Sequence, residues 1–412
     1  MAATTAMRKS GTVKSHTVQA TFDLERHIDW TLVLIVATLL CFGLVMLTSA
    51  SISLAERNTG NPLFYLEQQI IAVVIGLAGA ALMLRVPTSV WERCALLLVC
   101  AALGMLIAVL IPGLGNTVNG STRWLTIGGV SVMQVSEPAR LLMLMYLSGY
   151  TVRHRAELRE HFVGFFKPML LIGLTCVLLL LEPDFGAAVV MLSISLAVLF
   201  IAGARLRDFL VSSLGVCALF AVLAVTSPYR LKRLLGFLDP WADPLGSGYQ
   251  LTQSLIAIGS GQWFGVGLGG SVQKLFYLPE AHTDFVFAVI AEELGLIGSM
   301  LLIGLFAALV WRALRIAGNS ALAGRLYQAN LAFGLAIWLG VQVFINIGVN
   351  MGILPTKGLT LPLISYGRSS MLITLVALGL LLRIEMENRR FASQGQSRKK
   401  SKKKSKRGVP KR

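Results

Sequence analysis

The sequence is poor in charged residues. Only 14% of its 412 residues are Asp, Glu, Lys or Arg, whereas 55% are hydrophobic and the mean hydropathy is +0.71. Soluble domains carry about 25% charged residues. A chain this long and this apolar is not explained by a soluble domain with a large core, and we interpret it as a membrane protein.

Cysteine is also scarce, and its placement excludes two kinds of site. The five cysteines all lie inside apolar runs, and no two of them form a Cys-x-x-Cys pair. The sequence therefore predicts neither a disulfide framework nor a cysteine metal site. It also lacks an internal repeat and a nucleotide-binding glycine-rich loop, and its polar N-terminus is too long to be a cleaved signal peptide.

Ten apolar runs are what the sequence does contain. Each is long enough, or nearly so, to cross a hydrocarbon layer of roughly 30 Å. We therefore predict an all-α polytopic membrane protein of about ten transmembrane helices, with one large extracytoplasmic loop. The runs cover residues 30–52, 64–84, 90–111, 136–152, 167–182, 186–203, 208–226, 285–311, 327–352 and 359–382.

The distribution of Lys and Arg predicts the orientation. Short loops rich in these residues stay in the cytoplasm, and with the N-terminus inside most of them do so. An even number of spans then places both termini in the cytoplasm. We divide the chain into a cytoplasmic segment, 1–28, a membrane domain, 29–383, which includes a large periplasmic loop, 227–284, and a basic, disordered cytoplasmic tail, 384–412.

The net charge of +17 is concentrated in that tail. Residues 391–412 contain ten Lys or Arg and no acidic residue. We interpret this segment as a topology anchor or a contact for anionic membrane lipids, with a specific protein partner as the alternative. We do not expect it to bind nucleic acid.

The predicted outer face carries charged residues at helix ends and in the large loop. Basic residues there run against the positive-inside bias, so they indicate an anionic ligand, with phospholipid phosphates as the plainer alternative. Glu280, His282 and Asp284 alternate along the chain and could line one side of an extended loop, where a metal site is conceivable. Asp284 could instead simply cap the helix predicted to begin at Phe285.

Other polar residues lie inside or between the apolar runs. Glu292 and Glu293 enter the eighth run, where we expect them to pair with Lys or Arg of another segment. Asn346 and Asn350 are one helical turn apart and could bind substrate, although hydrogen bonds between helices are the simpler expectation. The acids of the tight turn 182–186 could serve only to keep that turn in water.

Four strings together resemble one protein family closely. The SEDS family (shape, elongation, division, sporulation) contains similar strings in the same order, and the resemblance extends from about Asp29 to Arg383. The Glu-Ala-His at 280–282 and the long polar N-terminus are similar to the branch of the family that acts in cell division. The strings are Ser121-Thr-Arg-Trp124, Gly248-Tyr-Gln-Leu-Thr-Gln-Ser254, Leu278-Pro-Glu-Ala-His-Thr-Asp-Phe285 and Pro355-Thr-Lys-Gly-Leu-Thr-Leu-Pro-Leu-Ile-Ser-Tyr-Gly367.

The resemblance implies a peptidoglycan glycosyltransferase that polymerises lipid II into glycan strands on the periplasmic face. It implies a multi-pass protein of the bacterial inner membrane at the division septum. Its partners would be a cognate class B penicillin-binding protein, the septal transpeptidase FtsI, and other divisome proteins. A lipid II flippase and a non-catalytic scaffold that recruits a transpeptidase are the alternative functions.

The resemblance also implies roles for individual residues. Asp284 takes the place of the family's essential catalytic residue, and we expect it to act as general base in an inverting transfer. The leaving pyrophosphate needs stabilisation by positive charge. A divalent cation, Mg²⁺ or Mn²⁺, could contribute to it, although no residue is assigned as a metal ligand. The residues expected to bind substrate are Lys357, Arg123, Glu280, His282, Arg230, Arg233 and Arg368.

Two departures from the family pattern stand out. Arg368 replaces the second glycine of the family's Ser-Tyr-Gly-Gly-Ser-Ser string, and adds bulk and charge near the predicted site. The family's Gln-Pro-(Ser/Ala)-Glu-x-x-Lys string is compared with Glu137-Pro-Ala-Arg140-Leu-Leu-Met143. In that comparison Arg140 stands at the position of the Glu, and the Glu and Lys of the family are missing.

Overall fold

A computed structural model describes residues 28–118, 120–128, 130–225, 236–356 and 358–407. Nearly all of the predicted N-terminal segment, 1–28, lies outside these residues. The described chain forms a bundle of helices with one small sheet, and each of the ten predicted spans contains a helix. This architecture confirms the predicted all-α polytopic membrane fold.

The helices are numbered here in chain order. They are α1 (Trp30–Thr59), α2 (Phe64–Arg85), α3 (Thr88–Arg93), α4 (Ala95–Leu110), α5 (Ser136–Arg153), α6 (Arg155–Glu160), α7 (Phe162–Leu181), α8 (Phe185–Ile201), α9 (Leu206–Val225), α10 (Tyr249–Gly261), α11 (Val286–Leu322), α12 (Leu326–Asn350) and α13 (Arg368–Arg407). Six of them, α1, α2, α7, α11, α12 and α13, contain windows long and apolar enough to cross a membrane, and α4 and α8 are shorter apolar helices.

The last helix differs from its predicted span at both ends. It begins at Arg368 rather than 359, because residues 359–367 form a loop whose apolar side chains are buried. Sequence alone could not separate this buried loop from a membrane span. The helix then continues to Arg407, through much of the segment predicted to be a disordered tail. The state of that tail in solution stays a prediction.

A small antiparallel sheet was not predicted. It lies between α4 and α5 and contains β1 (Gly115–Val118), β2 (Ser121–Ile127) and β3 (Val130–Gln134), with β2 in the middle. The positive φ of Gly128, +60°, lets the chain turn between the last two strands. The sheet places Arg123 on its central strand.

Small residues bring α2 and α13 close together. A Cβ atom added to Gly379 would lie 2.6 Å from the Cα atom of Ala80, and one added to Gly76 would lie 2.7 Å from a methyl group of Leu375. Helices in a bilayer gain little from the hydrophobic effect and associate through such close packing. The α2–α13 interface therefore fixes the start of α13 against the start of α2, and both starts border the site described below.

The long helix α11 is interrupted at Gly295, where φ is +66° and ψ −163°. The backbone there is completed by the glycine-rich stretch that follows α10. Leu296 donates to the carbonyl of Gln262 (2.8 Å), and Gly267 donates to the carbonyl of Glu293 (3.1 Å). Non-helical backbone at this position is tolerated because another part of the protein satisfies its hydrogen bonds.

Candidate active site

The loop that carries Asp284 is fixed by two asparagines of α12. The side-chain amides of Asn346 and Asn350 both donate to the backbone carbonyl of Asp284, at 2.9 and 3.0 Å. Asn346 also donates to the carbonyl of Leu359 (2.6 Å). The two amides thus join the Asp284 loop to the loop between α12 and α13, and they do more than link helices.

Asp284 is not the N-cap residue of the helix that follows it. Helix α11 begins at Val286, with Phe285 in the N-cap position. The side-chain acceptor for its first turn is the Oδ1 atom of Asn350, which lies 3.1 Å from the backbone nitrogen of Ala288. The capping interpretation of Asp284 therefore does not account for its presence.

The half-buried Asp284 side chain lies against the loop that contains Lys357. A Cβ atom added to Gly358 would be 3.3 Å from the Oδ2 atom of Asp284. Lys357 itself lies outside the described residues, as do Arg230 and Arg233. The structure thus brings the carboxylate next to the immediate neighbour of Lys357, as the two family strings predict.

His282 lies in an aromatic cluster beside Asp284. Its ring centroid is 4.8 Å from that of Tyr65 and 5.6 Å from that of Tyr366, and its carbonyl accepts from the backbone nitrogen of Tyr366 (2.9 Å). Burial lowers the pKa of His282, against a smaller opposite effect of the Glu280 carboxylate. The imidazole is therefore mostly neutral at pH 7, and its buried Nδ1 atom has no hydrogen-bond partner among the described residues.

Glu280, His282 and Asp284 do not line one side of an extended loop. The chain turns here, since Thr283 donates from its backbone nitrogen to the carbonyl of Glu280 (3.1 Å). Glu280 is exposed with a φ of +56°, whereas His282 is buried. Alternation in sequence suggested a common face, but the turn separates the two side chains.

Arg368 is the first residue of α13 and remains half-buried at the same end of the bundle. Its guanidinium donates to the Oε1 atom of Gln68 (3.4 Å). The neighbouring Gln69 is buried; its amide donates to the carbonyl of Ser365 (3.1 Å) and accepts from the nitrogen of Gly367 (3.3 Å). Gln69 was not predicted from the sequence, because its role depends on the contact between α2 and the loop before α13.

Arg123 binds the turn between α7 and α8. Its guanidinium donates to the carbonyl of Glu182 (3.4 Å) and to that of Pro183. In the same turn Asp184 caps α8, accepting from the nitrogen of Ala187 (3.1 Å), and also accepts from the amide of Gln134 (3.3 Å). The prediction that these acids merely keep the turn in water is wrong, because both Glu182 and Asp184 are buried.

Glu182 is the least satisfied of these acids. The residue is 0% exposed, and neither oxygen of its carboxyl group has a hydrogen-bond partner among the described residues. Burial raises the pKa of Glu182 to about 8, helped by the charge of Asp184 and opposed by Arg123. The group is therefore largely protonated at neutral pH.

The prediction that the family's acidic and basic residues are missing from the start of α5 is wrong. Glu137 and Arg140 form a buried ion pair (3.4 Å), and Arg140 also donates to the Oε1 atom of Gln342 (3.1 Å). Counted from Gln134, the same family string places its Glu on Glu137 and its basic residue on Arg140, with Val135 in place of proline. An acid–base pair is thus present, with Arg in place of Lys.

The prediction that both acids of the eighth run pair with Lys or Arg is confirmed for Glu293 and wrong for Glu292. Glu293 binds the ammonium of Lys274 (2.7 Å), and Glu292 accepts from Ser271 (2.5 Å) and from the backbone nitrogen of Val272 (3.0 Å). Among the described residues, no group of three or more His, Cys, Asp or Glu side chains is arranged to hold a metal ion.

Comparison with known proteins places this geometry in a family. The family model described as "Cell cycle protein", which covers FtsW, RodA and SpoVE, matches residues 29–390. A relative from Thioalkalivibrio sulfidiphilus, named "Probable peptidoglycan glycosyltransferase FtsW", is 57% identical over 88% of this chain and 91% of its own length. A relative of the same name from Coxiella burnetii is 52% identical over 87% of this chain and 96% of its own length.

Two solved structures share the fold. One, described as "Structural coordination of polymerization and crosslinking by a peptidoglycan synthase complex", has a TM-score of 0.73 with 33% identity, over 88% of this chain and 98% of the other. The rod shape determining protein RodA of Thermus thermophilus has a TM-score of 0.65 with 32% identity, over 87% of this chain and 96% of the other. With its apolar helices and a family model that matches most of its length, the chain is an integral inner-membrane protein and belongs to the FtsW, RodA and SpoVE family of cell cycle proteins, the SEDS family that its motifs resemble.

Proposed function

We propose that this protein is a peptidoglycan glycosyltransferase that polymerises lipid II into glycan strands on the periplasmic face during septal cell-wall synthesis. One observation carries the proposal. Two asparagine amides fix the backbone of Asp284, and its carboxylate lies against Gly358, next to Lys357. The relatives named as probable peptidoglycan glycosyltransferases support the assigned reaction.

In the proposed reaction Asp284 is the general base. Its carboxylate accepts the proton of the acceptor sugar's hydroxyl group, and that oxygen attacks the anomeric carbon of the donor. The bond from the anomeric carbon to the pyrophosphate oxygen breaks, and the configuration is inverted. General-base assistance of this kind contributes about 10²–10⁴-fold in rate. Because Asn346 and Asn350 hold the loop, the carboxylate needs little reorganisation before it reacts.

The leaving polyprenyl pyrophosphate would be stabilised by cations at the same end of the bundle. Arg123 suits this role because its described hydrogen bonds go to neutral carbonyl oxygens and it forms no ion pair among the described residues. Arg368 is half-exposed and likewise bonded to a neutral amide. We assign the same role to Lys357, Arg230 and Arg233 on the basis of the resemblance alone.

Glu280 and His282 would contribute to the walls of the site. The buried, neutral imidazole of His282 packs on two tyrosines and so shapes the loop, while the exposed Glu280 could meet a sugar hydroxyl. The described acids offer no three-ligand metal site, so a Mg²⁺ or Mn²⁺ ion would take most of its oxygens from the substrate's phosphates and from water. The chemistry it would supply is charge neutralisation of the leaving group.

The setting of the reaction is also part of the proposal. Both termini would lie in the cytoplasm, where the basic tail would contact anionic lipids. The partners would be a cognate class B penicillin-binding protein, the septal transpeptidase FtsI, and other divisome proteins. The synthase complex to which this fold is similar, described as coordinating polymerisation and crosslinking, supports a transpeptidase partner.

The test is glycan-chain formation from labelled lipid II by the purified protein with its cognate transpeptidase. We compare the native chain with Asp284→Ala and with a matched control, Asp239→Ala, which removes an exposed acid from the same large loop. We expect polymer from the native and control proteins and at least a 100-fold lower rate from Asp284→Ala. Equal rates in all three would remove Asp284 from the mechanism. If an intact complex of the native protein makes no polymer, a flippase or a scaffold becomes the better assignment, and lipid II transport in vesicles separates those two.

A further inference from the structure

A groove open to the bilayer runs along α1. It consists of two adjoining depressions, of about 530 and 720 Å³, that share Val45. From Ala37 to Ser53 it follows α1 for about 24 Å, at 1.5 Å per residue. We call it the α1 groove. The inner depression is lined by α1 residues, Ala37, Thr38, Cys41, Phe42 and Val45. The outer depression has an opposite wall and is lined by Val45, Thr48, Ser49, Ile52 and Ser53 of α1 and by Leu268, Gly269, Gly270, Ser271, Val272, Lys274 and Leu275.

The opposite wall is a loop that the protein holds in place. Its glycine-rich start is bonded to the interrupted part of α11, where Val266 donates to the carbonyl of Glu292 (3.0 Å). Close packing adds to this, since a Cβ atom on Gly265 would lie 2.1 Å from the carbonyl oxygen of Glu293. The Lys274–Glu293 ion pair fastens the other end of the loop. The wall of the outer depression is therefore held in place by hydrogen bonds, close packing and an ion pair within the protein.

Most of the polar groups along the groove are engaged within the protein. The side chains of Lys274 and Glu293 are 6% and 0% exposed, and the ammonium also donates to the hydroxyl of Ser49 (3.0 Å). Ser271 donates to Glu292, and Thr48 donates to the carbonyl of Leu44 (2.7 Å). What remains for a ligand is mainly hydrocarbon surface, so the groove suits an apolar chain and not a charged headgroup.

The outer end of the groove leads to the candidate active site. Arg57 lies one helical turn beyond Ser53 on α1, and its guanidinium is 4.7 Å from the ring centroid of Phe276. Asn58, the next residue of α1, donates to the hydroxyl of Tyr65 (3.5 Å), whose ring centroid is 4.8 Å from that of His282 in the loop of Asp284. A ligand whose apolar chain fills the groove would therefore place an anionic end beside Arg57 and the catalytic loop.

We propose that the α1 groove binds the polyprenyl chain of the lipid-linked sugar, with the pyrophosphate end toward Arg57. This inference rests on the proposed function and adds a binding site to it. Bilayer lipid is as apolar as the groove, so selection must come from van der Waals fit to the surface of the groove. A modest effect follows, and we expect about a fivefold change in binding when the fit is destroyed.

The test uses a substitution that fills the groove at Val45, the residue that both depressions share. Val45 is 51% exposed, so Val45→Trp places its larger ring in the groove without disturbing the core. The matched control is Ile75→Trp, at an equally exposed position of α2 (52%) that does not line the groove. The full-length protein in nanodiscs is irradiated with a polyprenyl pyrophosphate that carries a photoreactive chain, and the labelled peptides are identified by mass spectrometry.

We expect labels within residues 37–53 and 268–275, about fivefold weaker in Val45→Trp and unchanged in Ile75→Trp. Unchanged labelling of Val45→Trp would overturn the proposal. A photoreactive phospholipid that labels the same peptides, with the same loss in Val45→Trp, would also overturn it, because the groove would then hold any membrane lipid.

The labelling needs no turnover, so it separates this inference from the proposed function. Labels in the groove without any polymerising activity would support the site and reject the glycosyltransferase assignment. If polymer forms, Val45→Trp should raise KM about fivefold for full-length lipid II and leave KM for a short-chain analogue unchanged. Equal KM values for native and Val45→Trp proteins with the full-length substrate would reject the groove and retain the enzyme.

Discussion

The two ends of the bundle differ in how their buried acidic groups are paired. At the end where α1 starts, here called the terminal end, Asp29 binds Arg312 at 2.6 Å and Arg389 at 3.3 Å. Both arginines also bind Glu385, at 3.5 and 2.9 Å. Asp29 at the start of the described chain, Arg312 of α11, and Glu385 and Arg389 of α13 thus form a closed ion-pair network. Removal of one partner from such a buried network leaves a charge uncompensated, which is destabilising.

The end that carries Asp284, here called the site end, leaves several buried polar atoms without partners. They include both carboxyl oxygens of Glu182, the Nδ1 atom of His282 and the Oδ1 atom of Asn346, as judged over the described residues. The terminal end also has unpaired buried atoms, among them the Oε2 atom of Glu385, but within the described chain only Glu182 has both oxygens of a buried carboxyl group unpaired. Buried polar atoms are normally paired, and exceptions need an explanation. We interpret the ion-pair network of the terminal end as a structural anchor, whereas the site end contains a buried acid with no described hydrogen-bond partner.

We expect the largest effect from a substitution that breaks the ion-pair network of the terminal end. Arg312→Ala leaves Asp29 and Glu385 with one cation fewer in a largely buried place, so we expect the free energy of unfolding to fall by about 3 kcal/mol. Thermal unfolding of the purified protein measures it. The control is Arg315→Ala, which removes an exposed arginine stacked on Trp311 one turn away. If both variants lose the same stability, the network is not the anchor that we describe.

The second prediction concerns the position of Asp284. Asn350→Ala removes the amide that holds the Asp284 carbonyl and the acceptor that caps α11. Misplacement of a catalytic group by about 1 Å can cost about 100-fold in rate, and we expect that loss in kcat. Steady-state polymerisation assays measure it. Asn330→Ala serves as control, since this residue of the same helix bonds Thr151 instead. A loss confined to KM would contradict a positioning role.

The third prediction addresses the buried pair at the start of α5. Arg140 is 1% exposed, binds Glu137 and Gln342, and lies 5.2 Å from the ring centroid of Trp338. Lysine could keep the ion pair but would lose the planar fork and the ring contact. We expect Arg140→Lys to reduce the free energy of unfolding by about 1–2 kcal/mol, measured by thermal unfolding. An unchanged stability would show that the charge alone matters here.

Long apolar runs were enough to predict the spans, and short strings singled out the loops of Asp284 and Lys357, which lie together in the structure. The runs are visible because a membrane requires about 20 apolar residues for each helix. The features that sequence missed depend on contacts between distant segments. Gln69 holds a loop nearly 300 residues away, and the buried loop before Arg368 has the composition of a span. The interruption at Gly295 exists only because residues 262–267 complete its hydrogen bonds.

The placement of buried charges could not be predicted from the sequence. Sequence placed the acids of the 182–186 turn in water because turns between spans usually are. The structure buries Glu182 and Asp184 beneath Arg123, which only the sheet between α4 and α5 could bring there. The Glu137–Arg140 pair was overlooked because a comparison displaced by three residues puts Arg140 on the family's Glu.

We expect the smallest effect from a substitution of Glu182, which tests whether this buried acid of the site end lacks hydrogen-bond partners. Burial raises the pKa of Glu182 to about 8, well above the roughly 4.3 of an unfolded glutamate. Between these values the unfolded chain loses its proton and the folded chain keeps it, so stability falls as pH rises from about 4.3 to 8. Glu182→Gln removes this dependence and preserves the uncharged shape. We expect the Tm of the variant to exceed that of the native protein by about 3 °C at pH 8 and to match it near pH 5, in paired thermal scans. A native Tm that does not change relative to the variant across this range would mean that Glu182 is already charged and solvated, and the contrast between the two ends would then be lost.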